Sequence, residues 1–259
     1  MHAATVTKLP THGDAALASQ NRSSACKLDV TCGSCNLREL CLPSGLCDAD
    51  LQRIEKIVYL RRRIKRGETL FNAGEPFNSV YAVRVGFFKT SVIDKDGREQ
   101  VMGFFMGGEL LGMDGVGSGR HNGTAIALED SEVCVMPFSL IEDLASHVRA
   151  LQRNLHSVLA REIVRDHGVM MLLGSMCAEE RLAAFLLNLS QRFTARGYSP
   201  SEFVLRMTRE EIGSYLGLKL ETVSRVFSKF QDAGLVAVQQ KHIRITDIPG
   251  LREIIGSAN

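Results

Sequence analysis

The sequence of 259 residues contains no apolar run long enough to cross a membrane. Its apolar stretches, such as Phe104 to Met106 and Phe185 to Leu187, span a few residues, whereas a transmembrane helix needs roughly 20. Residues 1–14 are polar and are interrupted by Pro10 and Gly13, so they lack the apolar segment of a secretory signal. We therefore expect a cytoplasmic protein with no membrane partner.

The chain also lacks a strong excess of one charge and the common catalytic motifs. Lys and Arg number 31 and Asp and Glu number 29. From Ala178 onward there are 11 basic and 9 acidic residues, an excess too small to establish nucleic-acid binding by itself. No His-Glu-x-x-His, Walker loop or Gly-x-Ser-x-Gly occurs, and the glycines at 115–119 follow no βαβ pattern, so we do not expect an enzyme.

Cysteine is concentrated in one short segment. Five of the seven cysteines lie between positions 26 and 47, namely Cys26, Cys32, Cys35, Cys41 and Cys47. An odd number of cysteines in a long chain without a secretory signal indicates metal or redox chemistry rather than disulfides. Cys32-x2-Cys35-x5-Cys41 supplies three closely spaced thiolates. A fourth could come from Cys26, Cys47 or Cys134. Because structural zinc usually recruits a second Cys-x2-Cys pair, which is absent, the spacing favours an iron-sulfur centre over zinc.

The middle of the chain predicts a small β domain. After a short helix that begins near Asp48, short alternating segments run from Tyr59 to Pro137 and are separated by Gly-containing turns. The predicted strands lie at residues 69–71, 80–83, 87–92, 101–105, 124–128 and 133–135. Short antiparallel strands at this spacing are typical of a barrel or roll.

A long helix is predicted after Pro137. From Ser139 to Leu173 there is no proline and only one glycine, so a short helix leads into a long one. Residues recur along the long helix at alternating steps of four and three: Gln152, His156, Leu159, Ile163, Asp166, Met170 and Leu173. This heptad spacing is typical of paired helices, although a helix buried against its own domain shows a similar stripe. The length of the helix, and its position between a β block and an α block, favour dimerisation.

The last block predicts a winged helix-turn-helix. The expected elements are helices at 178–196, 208–216 and about 220–234 and strands at 235–238 and 243–246. The second helix opens with a capping box from Thr208 to Glu211, and Gly217 separates it from the third. Two short helices at a Gly-containing turn, followed by a hairpin, favour this fold over a plain helical bundle that does not bind DNA. Cys177, beside this block, is expected to be a small buried residue.

The third predicted helix of this block carries the residue types that read DNA. Glu221, Ser224 and Arg225 share one face, and apolar residues hold the opposite face. Arg225 can form two hydrogen bonds with guanine, Glu221 can accept one from a cytosine amino group, and Ser224 can bond a base edge. An ordinary Glu-to-Arg surface pair is the alternative, and the helix-turn-helix context favours DNA.

Five motifs occur in order along the chain. They are Cys32–Pro43, Lys65–Glu75, Gly112–Gly119, Glu179–Phe185 and Glu221–Arg225. Together they resemble the FNR proteins, which are oxygen-responsive transcription regulators of the CRP/FNR superfamily, over about residues 26–250. The resemblance implies an α+β fold with an N-terminal cyclic-nucleotide-binding-like β-roll, a long dimerisation helix and a C-terminal winged helix-turn-helix. The expected boundaries are 1–47 for an N-terminal arm with the cysteine segment, 48–147, 148–176 and 177–259.

The resemblance also implies a cofactor and partners. It implies an oxygen-labile [4Fe-4S] cluster bound by Cys32, Cys35, Cys41 and Cys134, and it places the base contacts on Glu221, Ser224 and Arg225. It implies a homodimer that binds palindromic double-stranded DNA with half-sites of the TTGAT kind and controls anaerobic genes. RNA polymerase is a further expected partner, with residues 94–99 as the candidate contact. The expected dimer seam is His156, Leu159, Ile163, Asp166 and Met170.

Some residues depart from the patterns of the superfamily. Its cyclic-nucleotide sensors hold the phosphate with an Arg-Ser or Arg-Thr pair, but Gly123-Thr124 stands at that place here, so no cyclic nucleotide is expected. Lys219 stands where family members often have a Thr, so the recognition helix here lacks that N-cap residue. The basic run at 61–63 is expected to be a solvated face, with DNA or polymerase contact as the alternative. A CRP-like regulator that responds to zinc or a small molecule is the alternative function.

Overall fold

The structure, a computed structural model, describes residues 32–58 and 60–256, so Cys26 lies outside the described residues. The described chain begins with the cysteine segment, which contains a short 3-10 turn at Arg38–Leu40. Helix α1 (Asp48–Ile57) follows as expected, with Cys47 at its N-cap position. Its apolar residues Leu51, Ile54 and Ile57 are buried because they recur at helical spacing on one face.

Two antiparallel four-stranded sheets form the expected β-roll. Their strands are β1 (Leu60–Ile64), β2 (Thr69–Phe71), β3 (Ser79–Val85), β4 (Phe87–Ile93), β5 (Glu99–Met106), β6 (Leu110–Leu111), β7 (Thr124–Ala127) and β8 (Ser131–Pro137). The strand order is β1-β8-β3-β6 in one sheet and β2-β7-β4-β5 in the other. Buried apolar residues from both sheets, among them Val83, Phe88 and Leu111, pack into one core between them.

Strands β1 and β6 have no counterpart among the strands predicted from sequence. β6 is only two residues long. In β1 three consecutive arginines conceal the alternation of a strand, and the strand forms because it pairs with β8, Leu60 opposite Val135 and Arg63 opposite Glu132. The expectation of a solvated basic run is correct for Arg63, whose side chain is 77% exposed, and wrong for Arg61, whose side chain is 12% exposed.

A short and a long helix follow the roll, as predicted. Helix α2 (Phe138–His147) leads into α3 (Arg149–Ser175), which has 27 residues. Only Leu151 and Val158 of α3 are buried, and they pack with residues of the cysteine segment and α1. The other residues of α3 are exposed or half-buried in the protomer. Its C-terminal half exposes several large apolar side chains: Ile163, Val164, Met170, Met171 and Leu173.

The C-terminal block has the predicted winged helix-turn-helix arrangement with two additional elements. Its elements are α4 (Ala178–Thr194), β9 (Glu202–Val204), α5 (Arg209–Leu216), α6 (Leu220–Asp232), β10 (Val236–Gln239), β11 (His242–Ile245) and α7 (Ile248–Gly256). The strands form a sheet in the order β10-β11-β9. The sequence pattern did not indicate β9, which is three residues long, or α7, which packs on α4.

The prediction that Cys177 is a buried apolar residue is wrong. Cys177 is exposed and occupies the N-cap of α4, where its sulfur accepts from the backbone N–H at Glu180. The Glu180 carboxylate accepts in return from the Cys177 backbone N–H at 2.6 Å, so the thiol acts as a helix cap. No helix among residues 32–58 and 60–256 combines the length and the apolar character that a bilayer span requires.

Candidate metal centre and nucleic-acid interface

Successive tight turns bring the N-terminal cysteines together. The N–H of Cys35 donates to the carbonyl of Cys32 at 3.2 Å, Arg38 to Cys35 at 3.0 Å, and Cys41 to Arg38 at 3.2 Å. The chain therefore reverses direction within each spacing of the Cys-x2-Cys-x5-Cys motif. All three cysteines face the pocket described next.

Four thiols line one pocket between the cysteine segment and the β-roll. About 430 Å³ of space not filled by atoms lies in and at the open mouth of the pocket, solvent included, and Cys32, Cys35, Cys41 and Cys134 all contribute to its wall. The other lining residues are Leu37, Arg38, Pro43, Val58, Ala82, Val83, Arg84, Gly108 and Met136, so the wall is apolar except for two arginines. Cys47 lies elsewhere: it is exposed, and its thiol donates to the Asp50 carboxylate at 3.4 Å.

The register of β8 explains why Cys134 meets the cysteine segment. Cys134 stands opposite Arg61 of β1 on one side and opposite Ala82 of β3 on the other. Side chains directly opposite each other across antiparallel strands share one face of the sheet. The small side chain of Ala82 leaves space beside the Cys134 thiol, and the arginine places a positive charge next to it.

Neighbouring thiols affect the ionisation of Cys32, Cys41 and Cys134. Burial, with a smaller contribution from neighbouring cysteines, raises the pKa of Cys32 and of Cys41 to about 12. Burial also raises the pKa of Cys134, with a further contribution from Cys35 and an opposing one from Arg61. Every pair among the four interacts in this way. At neutral pH Cys32 and Cys41 are therefore protonated on their own, and only a cationic group in the pocket would hold these thiols as thiolates.

The donor set fits a group larger than a single ion. Within the described ranges, no three His, Cys, Asp or Glu side chains are close enough together to hold one metal ion. A lone zinc ion needs four ligands at about 2.3 Å, whereas an iron-sulfur cluster presents several irons to cysteines spread around it. The four thiols around this apolar pocket are the donor type and number that such a cluster takes.

The cysteine segment is also attached to α3. The side-chain amide of Asn154 donates to the backbone carbonyls of Leu42 at 3.0 Å and Ser44 at 2.7 Å. Leu42 and Leu46 belong to the same apolar core as Leu151 and Val158 of α3. The sequence pattern did not single out Asn154, because its role depends on a fold that brings residues more than 100 positions apart into contact.

Helix α6 presents a polar face to solvent. Glu221, Ser224 and Arg225 are exposed, and the opposite face is buried through Val223, Val226, Phe227 and Phe230. Lys219 stands at the N-cap without a side-chain hydrogen bond, as expected. The turn from α5 requires glycine at two positions. Gly217 has a φ of +63°, and a Cβ at Gly213 would lie 2.5 Å from the carbonyl oxygen of Leu218.

The helix-turn-helix packs against the roll of its own protomer. Glu109, after β5, accepts hydrogen bonds from Arg192 and Arg196 of α4 at 2.6 to 3.0 Å. On α5 the Ser214 hydroxyl donates to the carbonyl of Glu99 at 3.1 Å and accepts from the N–H of Val101 at 2.8 Å. All residues of the candidate polymerase contact at 94–99 are exposed, and the backbone carbonyl of Glu99 also accepts from Ser214 of α5.

The predicted dimer seam lies on the uncovered part of α3. Ile163 is 55% exposed and Met170 62% exposed, His156 and Asp166 are exposed, and Leu159 is half-buried. Apolar side chains that stand in solvent on one helix face are available to pair with a second copy of the helix.

Comparisons with known proteins establish the family. Residues 61–147 match the cyclic nucleotide-binding domain, and residues 180–254 match the Crp-like helix-turn-helix domain. The transcriptional regulatory protein btr of Bordetella pertussis is 46% identical over 225 residues, covering 87% of this chain and 93% of that protein. The fumarate and nitrate reduction regulatory protein of Escherichia coli is 42% identical over 227 residues, covering 88% and 91%. The chain belongs to the CRP/FNR family of transcription regulators.

Solved structures of CRP/FNR regulators share the fold. FixK2 of Bradyrhizobium japonicum is 30% identical with a TM-score of 0.69, covering 75% of this chain and 96% of that one. A CRP-family transcriptional regulator of Thermus thermophilus has a TM-score of 0.61 at 22% identity, covering 76% and 97%. The predicted α+β class is confirmed, and the protein is a DNA-binding regulator rather than an enzyme, as the missing catalytic motifs indicated.

Proposed function

We propose that the protein is a global regulator that senses oxygen through a [4Fe-4S] cluster held by Cys32, Cys35, Cys41 and Cys134. The observation that carries the proposal is the single pocket lined by these four thiols. The 42% identity to regulators named for fumarate and nitrate reduction supports it. As a cluster-bound homodimer the protein binds palindromic double-stranded DNA in the cytoplasm and controls anaerobic gene expression. It uses no cyclic nucleotide.

Cluster binding would order the cysteine segment, because its thiolates and that of Cys134 would hold the same group. When bound, the cluster would supply an oxygen-reactive iron-sulfur group whose positively charged core offsets part of the charge of the four thiolates. The thiolates of the segment and that of Cys134 on β8 then belong to one centre, which joins the segment to the roll. Without the centre, Cys32 and Cys41 are protonated thiols, and no bond links them to Cys134, so the joint depends on the cofactor.

The ordered segment acts on dimerisation through α3. Asn154 and the apolar contacts of Leu42 and Leu46 connect the segment to the N-terminal half of the helix. The proposed seam continues from there along the helix. It consists of His156, Leu159, Ile163, Asp166 and Met170. A shift of a few kcal/mol between monomer and dimer is enough to switch such an equilibrium.

The dimer reads DNA with its two α6 helices. Each helix presents Glu221, Ser224 and Arg225 to one half-site, and two half-sites one helical turn apart make the palindrome. The exposed turn at 94–98 is available for RNA polymerase once the dimer is on its site. Glu99, at the other end of the proposed contact, is exposed as well and is held to α5 by its backbone carbonyl.

The test is the metal content of protein purified without oxygen. We expect iron and sulfide together with broad visible absorption that disappears on exposure to air. Colourless protein with stoichiometric zinc, or with no metal, would overturn the proposal and favour a regulator that responds to zinc or a small molecule.

The ligand assignment predicts the effect of single Cys→Ser changes. Cys134→Ser should abolish both the air-sensitive absorption and the anaerobic DNA binding, because three thiolates rarely hold the cluster. Cys47→Ser is the matched control within the cysteine segment, since Cys47 lies away from the pocket, and Cys177→Ser is a second control. A full cluster in Cys134→Ser would show that the fourth ligand is another cysteine, with Cys26 and Cys47 as candidates.

A further inference from the structure

The basic strand β1 places one arginine opposite a thiol of the pocket. Arg61 stands directly opposite Cys134, its side chain is largely buried, and its charge lowers the pKa of both Cys134 and Cys32 against the larger effect of burial. Arg63, two residues along the same strand, is solvated. The two arginines therefore share a strand and differ in their relation to the thiols.

Two arginine side chains at this site have a buried nitrogen without a hydrogen bond. Across the described residues, three buried side-chain nitrogens or oxygens lack a partner, and two of them are Nε of Arg38 and Nε of Arg61. Arg38 lines the thiol pocket, and its Nε is 3.3 Å from a Glu39 carboxylate oxygen without hydrogen-bond geometry. A buried donor without an acceptor costs about 1–3 kcal/mol, so one on the pocket wall and one opposite Cys134 call for an explanation.

The nearest carboxylate does not satisfy Arg61. Glu132 receives a hydrogen bond from Arg84 at 2.7 Å and an ion pair from Arg63 at 3.6 Å, while Arg61 Nε stays 3.9 Å away. One carboxylate thus faces three guanidinium groups. The side of the pocket formed by β1, β3 and β8 carries excess positive charge even after this pairing.

We propose that Arg61 and Arg38 are positioning residues for the cluster-bound thiolates, to which they supply positive charge and free N–H donors. The inference rests on the function proposed above. Four thiolates outweigh the positive charge of a [4Fe-4S] core, so the occupied site is negatively charged and buried beside these groups. Hydrogen bonds and nearby charge are the terms by which a protein tunes the potential and persistence of such a cluster.

The experiment compares Arg61→Gln with Arg63→Gln in the full-length protein. Both changes remove one arginine of β1 and one ion pair with Glu132, but only Arg61 acts on the thiols. Under anaerobic conditions an iron chelator should remove the visible absorption of Arg61→Gln about 10-fold faster than that of wild type. Changing a residue that supports metal ligands typically costs about 10- to 100-fold in metal affinity, and this expectation takes the lower figure. Arg63→Gln should stay within about twofold of wild type.

The reduction potential of the cluster separates tuning from a merely structural role. Removing a nearby positive charge favours the more oxidised cluster, so the potential should fall in Arg61→Gln and stay unchanged in Arg63→Gln. Arg61→Lys restores the charge and should recover most of the potential. Thermal unfolding of the cluster-free proteins shows whether Arg61→Gln folds normally. If it folds poorly, Arg38→Gln is the second variant: Arg38 lies outside the sheet, and the change should give the same faster loss of the cluster.

The outcomes distinguish the two proposals. If wild-type protein prepared without oxygen holds no iron and sulfide, the proposed function fails. If wild type holds the cluster, but Arg61→Gln and Arg38→Gln match Arg63→Gln in both rate and potential, only the role of the two arginines is wrong.

Discussion

Arg225 is the residue on which the sequence specificity of DNA binding is expected to depend most. It is exposed on α6, and it makes only a weak contact with the Thr222 hydroxyl, at 3.5 Å, so its guanidinium is free to meet a base. Arg225→Ala should lower specific affinity by about 1–3 kcal/mol and relax the preference at the guanine position. Competition binding with operators changed at single positions measures both effects. A loss of equal size on every sequence would mean that Arg225 contacts only phosphate.

Glu109 joins the roll to the helix-turn-helix through ion pairs with Arg192 and Arg196. Burial raises the pKa of Glu109, but the charges and hydrogen bonds of Arg192 and Arg196 outweigh burial, so its pKa lies below the usual 4.5. In the unfolded chain the pKa returns to that value. The ion pairs therefore stabilise the fold fully above pH 4.5, and this contribution is lost as the pH falls through the lowered pKa of the folded state.

The prediction for Glu109 concerns the pH dependence of stability. Glu109→Gln should lower the free energy of unfolding at neutral pH by up to about 3 kcal/mol, since two partly buried guanidinium groups lose their counter-charge. Below pH 4.5 the difference between wild type and variant should shrink, and it should be smallest once the pH falls below the lowered pKa of folded Glu109, where the wild-type carboxylate is protonated. Thermal unfolding across this range tests it. A difference that stays constant at all pH values would show that the carboxylate charge is not what stabilises this contact.

At the scale of elements, Asn154 is expected to transmit the state of the cysteine segment to α3. Asn154→Ala removes two hydrogen bonds to backbone carbonyls, each of which contributes about 1 kcal/mol. The anaerobic variant should keep its iron, because no ligand has changed, and it should dimerise about 5- to 30-fold more weakly, as 1–2 kcal/mol requires. Sedimentation and iron analysis of the same sample measure both. The exposed neighbour Arg153 gives the control Arg153→Ala. Loss of iron in Asn154→Ala would mean that Asn154 only holds the segment in place.

Elements with a strong local pattern were predictable from the sequence, and those that depend on distant pairing were not. The capping box at Thr208, the glycine at 217 and the apolar face of α6 are local, and each marks its element correctly. Strand β1 has no such pattern, because it exists only through its pairing with β8, about 70 residues away.

The candidate site likewise has a part that the sequence predicted and a part that depends on the fold. The spacing of Cys32, Cys35 and Cys41 indicated a metal centre, while spacing alone left three candidates for the fourth thiol. Sheet register brings Cys134 to the pocket and places Arg61 beside it. Register is a property of the folded sheet, so the same arginine appears in the sequence as one of three equivalent basic residues.

For the whole molecule, the exposed stripe on α3 is the main feature that a single protomer leaves without a partner. Large apolar side chains such as Ile163 and Met170 stand in solvent on a helix whose first half is anchored to the cysteine segment. Pairing of two such helices would bury these side chains and place the two α6 helices on opposite sides of one axis. Dimerisation, cluster binding and DNA reading are thereby expected to depend on one helix.

Asp166 occupies a position of the proposed seam that paired helices normally fill with an apolar residue. It is exposed between Ile163 and Met170 on the same stripe, and in a parallel dimer its carboxylate would approach that of the second copy across the axis. Like charges in a partly desolvated seam repel, so Asp166 should keep the cluster-free protein monomeric and make the dimer depend on the ordered segment.

Asp166→Ala removes this repulsion and should give a dimer that binds DNA in air, with or without iron. If Asp166 instead faces solvent in the dimer, the change would alter stability by only a few tenths of a kcal/mol through helix propensity. Sedimentation of the aerobic, cluster-free variant separates the two cases. A monomer at concentrations where anaerobic wild type is a dimer would show that the seam and the switch based on it are wrong.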